Sequence, residues 1–265
     1  MIDMFIHPTS NLDEDKLFDL SHIQWQDWGS STISSMDQNG ISVAGVCIMD
    51  NAVLWQDEFR KAFNIVGAKK RLWFTLMVDI RAQDPLHNVK LASEIGFKGI
   101  TFHSYLQEIR PSDYSDIVDI AKYANSLGMF TGLCTAFGSK KIYDFHSLPL
   151  AVEILKQVNG PIVLYHSGGA RILEALLLCE MWPNLYLETS YSLSYWLNSS
   201  VELDLAFSIK KIGAHRFMFG SDSPFLSVKK AVDDHLSFFE KHGFNNAERD
   251  LIFGGTAQNI FKFIE

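Results

Sequence analysis

Eight short apolar runs in this 265-residue chain each end on a side chain that can bind a metal ion, carry a proton or hold a substrate. In order, the endings are His7 after Ile2-Asp3-Met4-Phe5-Ile6, Asp50 after Val46-Cys47-Ile48-Met49, Asp79 after Leu76-Met77-Val78, and His103 after Ile100-Thr101-Phe102. The second half repeats the habit with Cys134 after Gly132-Leu133, His166 after Ile162-Val163-Leu164-Tyr165, Glu188 after Leu185-Tyr186-Leu187, and Asp222 after Phe217-Met218-Phe219-Gly220-Ser221. Imidazoles, carboxylates and a thiol in such places suit metal-assisted hydrolysis or acid–base catalysis. If the runs are parallel strands, their carboxyl ends gather these eight residues around one opening, the end of a barrel that carries its chemistry.

The elements that would position them follow from periodicity. Short apolar runs bounded by Gly, Pro or Asn read as doubly buried parallel strands, here the first run and residues 41–49, 71–78, 99–102, 129–135, 161–165, 184–187 and 216–219. Between them lie segments of helical period at 32–39, 53–66, 85–95, 112–128, 150–158, 171–181, 201–212 and 228–242, with short helices in the tail at 247–264, interrupted by Gly254-Gly255. Asp84-Pro85 is a helix start and Gly40 a helix stop. Alternating strand and helix at this length predicts a single-domain (β/α)8 TIM barrel spanning residues 1–265. An open doubly wound sheet is the rival, but Gly168-Gly169 does not complete its phosphate fingerprint.

Nearly half the residues are apolar, enough for a large core, and the net charge of −8 without a long Lys/Arg cluster speaks against nucleic acid or anionic membrane as a partner. A small-molecule substrate is expected, and a homo-oligomer stays open. Cys47, Cys134 and Cys179 are an odd set inside apolar stretches, which fits a reducing cytoplasm rather than a disulfide framework. Neither a basic leader nor an apolar run of membrane-spanning length is evident, so no export or insertion is expected.

Three blocks, Asp3-Met4-Phe5-Ile6-His7-Pro8, Tyr165-His166-Ser167-Gly168-Gly169 and Phe219-Gly220-Ser221-Asp222-Ser223-Pro224, stand at the first, sixth and eighth strands. With Gly99-Ile100-Thr101-Phe102-His103 on the fourth and the closing Gly254-Gly255-Thr256-Ala257-Gln258-Asn259, the chain resembles the amidohydrolase superfamily, in its amidohydrolase-related TIM-barrel branch. The resemblance spans almost the whole chain and implies one or two divalent metals, most often zinc, held by a His-x-His pair on strand one, His on strands five and six, and Asp on strand eight. His166 and Asp222 match that pattern, whereas Phe5 stands where the first His would be and Cys134 where the fifth-strand His would be. Residues two apart on a strand point the same way, so a His-x-His pair offers one cation two imidazoles, and Phe5 can offer nothing. The implied metal set is therefore His7, Cys134, His166 and Asp222.

The activity the resemblance implies is hydrolysis of an amide or lactone bond in a small, carboxylated molecule. Asp222 and His166 would be catalytic, with His103 and Arg110 as substrate contacts. Relatives in this branch that hydrolyse lactones without metal, and others that decarboxylate, provide alternatives; so does a degraded barrel kept as a binding protein, which Phe5 favours. Each residue also has a plainer reading. His7 and His166 could be hydrogen-bonded barrel residues, Cys134 a small packing residue, and Asp3 a support for a loop or for His7. Asp50 and Asp79 could cap the helices that follow them. Gly168-Gly169 could make a turn or receive an anion, and the aromatic stretch at residues 23–28 could pack over the barrel bottom or roof the site, a loop after the first strand favouring the partial lid.

Overall fold

The computed structural model describes residues 1–9, 19–68 and 70–262, apart from the side chains of residues 65–68. Eight strands form one parallel sheet in sequence order: β1 Ile2–Ile6, β2 Val43–Ile48, β3 Leu72–Met77, β4 Gly99–His103, β5 Phe130–Cys134, β6 Ile162–Tyr165, β7 Leu185–Glu188 and β8 Phe217–Met218. Three backbone hydrogen bonds return the last strand to the first: Met4 N–H donates to Phe219 O (2.9 Å), Asp222 N–H to Phe5 O (2.9 Å) and His7 N–H to Ser223 O (2.7 Å). The ring is thus the expected (β/α)8 barrel.

Helices α1 Trp25–Gln38, α2 Asp57–Ala68, α3 Pro85–Ile95, α4 Tyr114–Ser126, α5 Ser147–Leu155, α6 Ile172–Met181, α7 Ser192–Trp196, α8 Ser200–Ile212 and α9 Val228–Lys241 alternate with the strands, and α10 Asn246–Asp250 and α11 Thr256–Ile260 close the chain. The start signal at α3 works as expected. The Asp84 carboxylate accepts from His87 N–H at 2.9 Å, Pro85 fills the first turn, and Gly96 ends the helix at φ 111°. None of the helices among the described residues is long and apolar enough to cross a membrane.

Two apolar layers result. The larger lies between sheet and helices, and a smaller one fills the barrel, where Ile2, Trp73, Phe130, Ala257 and Phe261 pack together at the end where the strands begin. Near the other end the ring of Tyr165 fits only because Gly132 has no side chain: a Cβ there would lie 2.3 Å from the ring. This puts Tyr165 beneath the mouth, as a floor for what sits above it.

The aromatic stretch at residues 23–28 departs from expectation. Trp25 opens α1 and is buried edge-on against Phe59 and Trp28 in the outer layer, instead of forming a lid. Its spacing with Trp28 and Met36 was helical, and that stripe packs on the sheet. Residues 10–18 of the expected loop lie outside the described residues.

Candidate active site

Five of the eight strand-end residues meet in one cavity of about 370 Å³ at the barrel mouth: His7, His103, Cys134, His166 and Asp222. Strand register explains the neighbours, since His103 lies beside Cys134 and Cys134 beside Tyr165 in the sheet. Asp50 and Asp79 line an adjoining chamber of about 710 Å³ instead, together with Arg110, and the two spaces share Met49 and Leu106 as a common wall. Both carboxylates also cap local turns, Asp50 accepting from Ala52 N–H at 2.8 Å and Asp79 from Arg81 N–H at 2.9 Å, which is their plainer reading.

Asp222 and His7 are joined directly, with Nε2 of His7 at 3.0 Å from Oδ1 of Asp222, both side chains largely buried. An ionised carboxylate only accepts, so Nε2 carries the proton and donates. Nδ1 of His7 is then a buried lone pair, with no hydrogen-bond partner among the described residues. Asp3 supports this corner through the backbone: its Oδ1 accepts from Ser221 N–H (2.9 Å) and Phe5 N–H (3.3 Å), fixing the turn from which Asp222 projects. Burial pushes the Asp3 carboxyl up to about 6.

His166 is set from below. Its Nδ1 lies 2.9 Å from the carbonyl oxygen of Ser190, which can only accept, so Nδ1 is protonated and Nε2 presents a lone pair. Ser190 is held in turn by Glu188, a fully buried carboxyl that receives Ser190 N–H and Ser190 Oγ–H at 2.6 Å each, and His166 N–H at 3.3 Å. Desolvation drives the Glu188 carboxyl well above its ordinary range and the His166 imidazole below its own. Glu188 thus lies under the site and not in its wall. Gly220 makes room for it, because a Cβ there would stand 2.0 Å from the Glu188 carboxylate.

His103 has the opposite tautomer. Its Nδ1 accepts from Leu106 N–H at 3.4 Å, which leaves the proton on Nε2. Burial, reinforced by the neighbouring His166 and His7, lowers its pKa to about 3, so at neutral pH it is an uncharged donor. His166, Ser167, Tyr191 and Asp222 all adopt left-handed φ angles of 64°, 53°, 52° and 61°. Such backbone strain costs roughly 1–3 kcal/mol per residue and gathers where side chains must be aimed.

The donors do not fit the divalent metal that the family resemblance implies. Phe5 is stacked on Tyr165 with centroids 3.9 Å apart and stands edge-on to His7 and His166, filling the place a second first-strand imidazole would take. The Nε2 of His7 is committed to Asp222, so the imidazole lone pairs left at the cavity are Nδ1 of His7 and Nε2 of His166. Cys134 lines the cavity as a buried thiol whose pKa desolvation raises well above the ordinary range. Among the described residues no group of three or more His, Cys, Asp or Glu side chains is arranged to hold a metal ion.

Arg110, expected at the substrate, is exposed on the adjoining chamber, 5.8 Å from the ring of Phe145. Gly168-Gly169 is a tight turn whose first amide is used internally, Gly168 N–H donating to Thr135 Oγ at 2.8 Å. The strand ends do not include four aromatic residues of the cavity wall, Tyr105, Phe137, Tyr191 and Phe225. Each lies two or three residues beyond a singled-out strand end, in the loop that begins there, and that offset was the available signal. The Glu-x-Ser pair at Glu188 and Ser190, which fixes His166, was also legible only as spacing.

A family model described as amidohydrolase matches residues 50–263. A search of curated proteins returns no match. Solved structures similar to this chain include a probable 2-pyrone-4,6-dicarboxylic acid hydrolase from Acinetobacter baumannii with citric acid bound, at 16% identity over 98% of both chains and a TM-score of 0.66. An uncharacterized TIM-barrel protein from Bordetella bronchiseptica aligns over 100% of this chain and 99% of its own at 12% identity and TM-score 0.72. A 5-carboxyvanillate decarboxylase from Sphingomonas paucimobilis aligns over 99% of this chain and 98% of its own at 14% identity and TM-score 0.62. At such identities the likeness shows the fold.

Proposed function

The chain belongs to the amidohydrolase family, and from that premise we propose that it is an enzyme that hydrolyses a lactone or amide bond in a small molecule, with Asp222 as the base. The observation that carries the reading is the Asp222–His7 pair at 3.0 Å in the same cavity as a neutral His103 and an oriented His166. His7 fixes one carboxylate oxygen of Asp222, leaving the other to take a proton from water as that water attacks the carbonyl carbon. The Nε2–H of His103 is suited to the developing oxyanion, because a neutral donor stabilises the new charge without attracting anions beforehand. As the tetrahedral intermediate collapses, the carbon–oxygen or carbon–nitrogen bond breaks. The proton held by Asp222 then passes to the leaving atom, with the Nε2 lone pair of His166 available as a relay.

Zinc, held by His7, Cys134, His166 and Asp222, is the cofactor the resemblance implies, but with the donors arranged as described no step is assigned to it. Decarboxylation is the alternative suggested by relatives such as the Sphingomonas enzyme. It calls for a cation to hold the departing carboxylate, and no Lys or Arg among the described residues lines the cavity. A carboxylate elsewhere on the substrate could meet Arg110 only from the adjoining chamber.

The test pairs metal content, measured by plasma mass spectrometry on protein purified without chelator or nickel, with turnover of lactone, ester and amide panels. Hydrolysis without stoichiometric metal, lost in Asp222→Asn, is the expected result. Near-stoichiometric zinc that disappears in His166→Ala would overturn the metal-independent reading, and undiminished turnover by Asp222→Asn would overturn the base assignment.

A further inference from the structure

The walls of the cavity say which kind of molecule enters it. Five benzenoid rings line it, Phe5, Tyr105, Phe137, Tyr191 and Phe225, together with the apolar side chains of Met49 and Leu106. The rings are held from behind. Phe5 stacks on Tyr165, and Phe137 packs against Tyr195 and Trp196 with centroids at 5.0 and 5.3 Å. Gly169 gives Phe137 its place, since a Cβ there would come within 2.7 Å of the ring. Such braced, flat surfaces favour a planar unsaturated ligand through stacked and edge-on contacts.

The charge balance points the same way. Among the described residues Asp222 is the only carboxylate in the wall, and no Lys or Arg joins it. A carboxylate entering here would lose water, find no Lys or Arg among the described wall residues in exchange, and face the Asp222 carboxyl group. The exposed Arg110 cannot supply that cation, because it lines the adjoining chamber with Asp50, Asp79 and Glu108.

We infer that the substrate seated in this cavity is an uncharged planar ring compound, an aryl-fused lactone or its close equivalent, and not a ring carboxylate. Which bond is cleaved rests on the hydrolase reading above, whereas the selection of a neutral ring rests on the walls alone. Its volume of about 370 Å³ lies near the lower end for ligand pockets, which suits one or two fused rings.

The experiment compares 3,4-dihydrocoumarin with its 3-carboxylate as substrates. By calorimetry it also compares the non-hydrolysable lactam 3,4-dihydroquinolin-2-one with its carboxylated counterpart as ligands. The neutral member of each pair should be favoured at least tenfold, and Phe137→Ala, in a partly exposed loop position, should weaken lactam binding several-fold while keeping the circular dichroism spectrum of wild type. Lactam binding without lactone turnover would support the selection of a neutral ring and count against hydrolysis alone, so the two readings fail separately. Equal or better binding of the carboxylates, or no binding of either lactam, would overturn the inference. Unaltered lactam affinity in Phe137→Ala would do the same.

Discussion

Replacing Phe5 with histidine tests whether one ring keeps this cavity from assembling a metal site. The substitution recreates a His-x-His spacing with His7, but gives up the stacking of Phe5 on Tyr165 at 3.9 Å. Such an aromatic pair contributes roughly 0.5–1.5 kcal/mol beyond its burial. It also places imidazole nitrogens where the Tyr165 ring forms one wall, and a buried polar group without a partner costs roughly 1–3 kcal/mol. Together the loss is about 2–4 kcal/mol, a large share of the 5–15 kcal/mol typical of a folded protein. For a chain of this size the melting temperature should fall by roughly 5–15 °C in the presence of chelator. Zinc at about one hundred times its dissociation constant would return about 2.7 kcal/mol to a protein that binds it only when folded, and so recover most of that fall. The assay is thermal unfolding of wild type and Phe5→His with EDTA and with zinc. The wild type should respond to neither, while the variant should melt lower in EDTA and recover in zinc. A wild type that loses stability in EDTA, or rises in zinc as much as the variant does, would refute the claim that Phe5 and the His7–Asp222 pair exclude the metal.

Other outcomes follow from the same contacts. Asp222→Asn keeps the shape and an acceptor for His7, so it should lower turnover by roughly 10²–10⁴-fold, the usual contribution of a general base, with an unchanged circular dichroism spectrum; turnover within tenfold of wild type would rule that role out. Gly220→Ala forces a methyl group into the Glu188 carboxylate, and an overpacked core costs roughly 1–3 kcal/mol; urea denaturation should show that loss along with reduced turnover, and a variant equal to wild type would mean Glu188 relaxes freely. Cys134→Ser should leave metal content as it is in wild type, since among the described residues no group of three or more metal-binding side chains is arranged to hold an ion; loss of bound zinc would identify it as a ligand. Stability should respond to acid in two senses. His103, with its pKa lowered to about 3, is stabilising above the free histidine value of about 6.5, and its contribution drains away at up to about 1.4 kcal/mol per pH unit as pH falls from there toward 3. Asp3, raised to about 6, acts oppositely, the folded form gaining on the unfolded as pH falls from 6 toward 4. Asp3→Asn should therefore make the protein lose stability more steeply on acidification than wild type; a shallower loss would contradict the burial of that carboxyl.

The order of strands and helices was legible in the sequence because a closed parallel sheet buries every strand on both faces and every helix on one, and both habits leave periodic apolar patterns. For the same reason the strand ends could be named: a residue at the carboxyl end of a buried strand stands at or just beneath the barrel mouth, and His7, His103, Cys134, His166 and Asp222 do meet in one cavity there. What no periodicity encodes is how neighbouring strand ends divide the space. Asp50, Asp79 and Arg110 share a mouth with those residues, yet Met49 and Leu106 wall them off in another chamber. Nor could spacing show that Asp222 spends one oxygen on His7, that Glu188 sinks beneath Ser190 to fix the tautomer of His166, or that four loop aromatics turn inward to complete the walls. Those outcomes depend on contacts between residues as far apart as 7 and 222. Sequence alone thus determined which groups stand at the strand ends, while which of them reach the cavity, and their partners and walls, were decided by tertiary packing, because burial and hydrogen bonding depend on neighbours brought close only when the barrel closes.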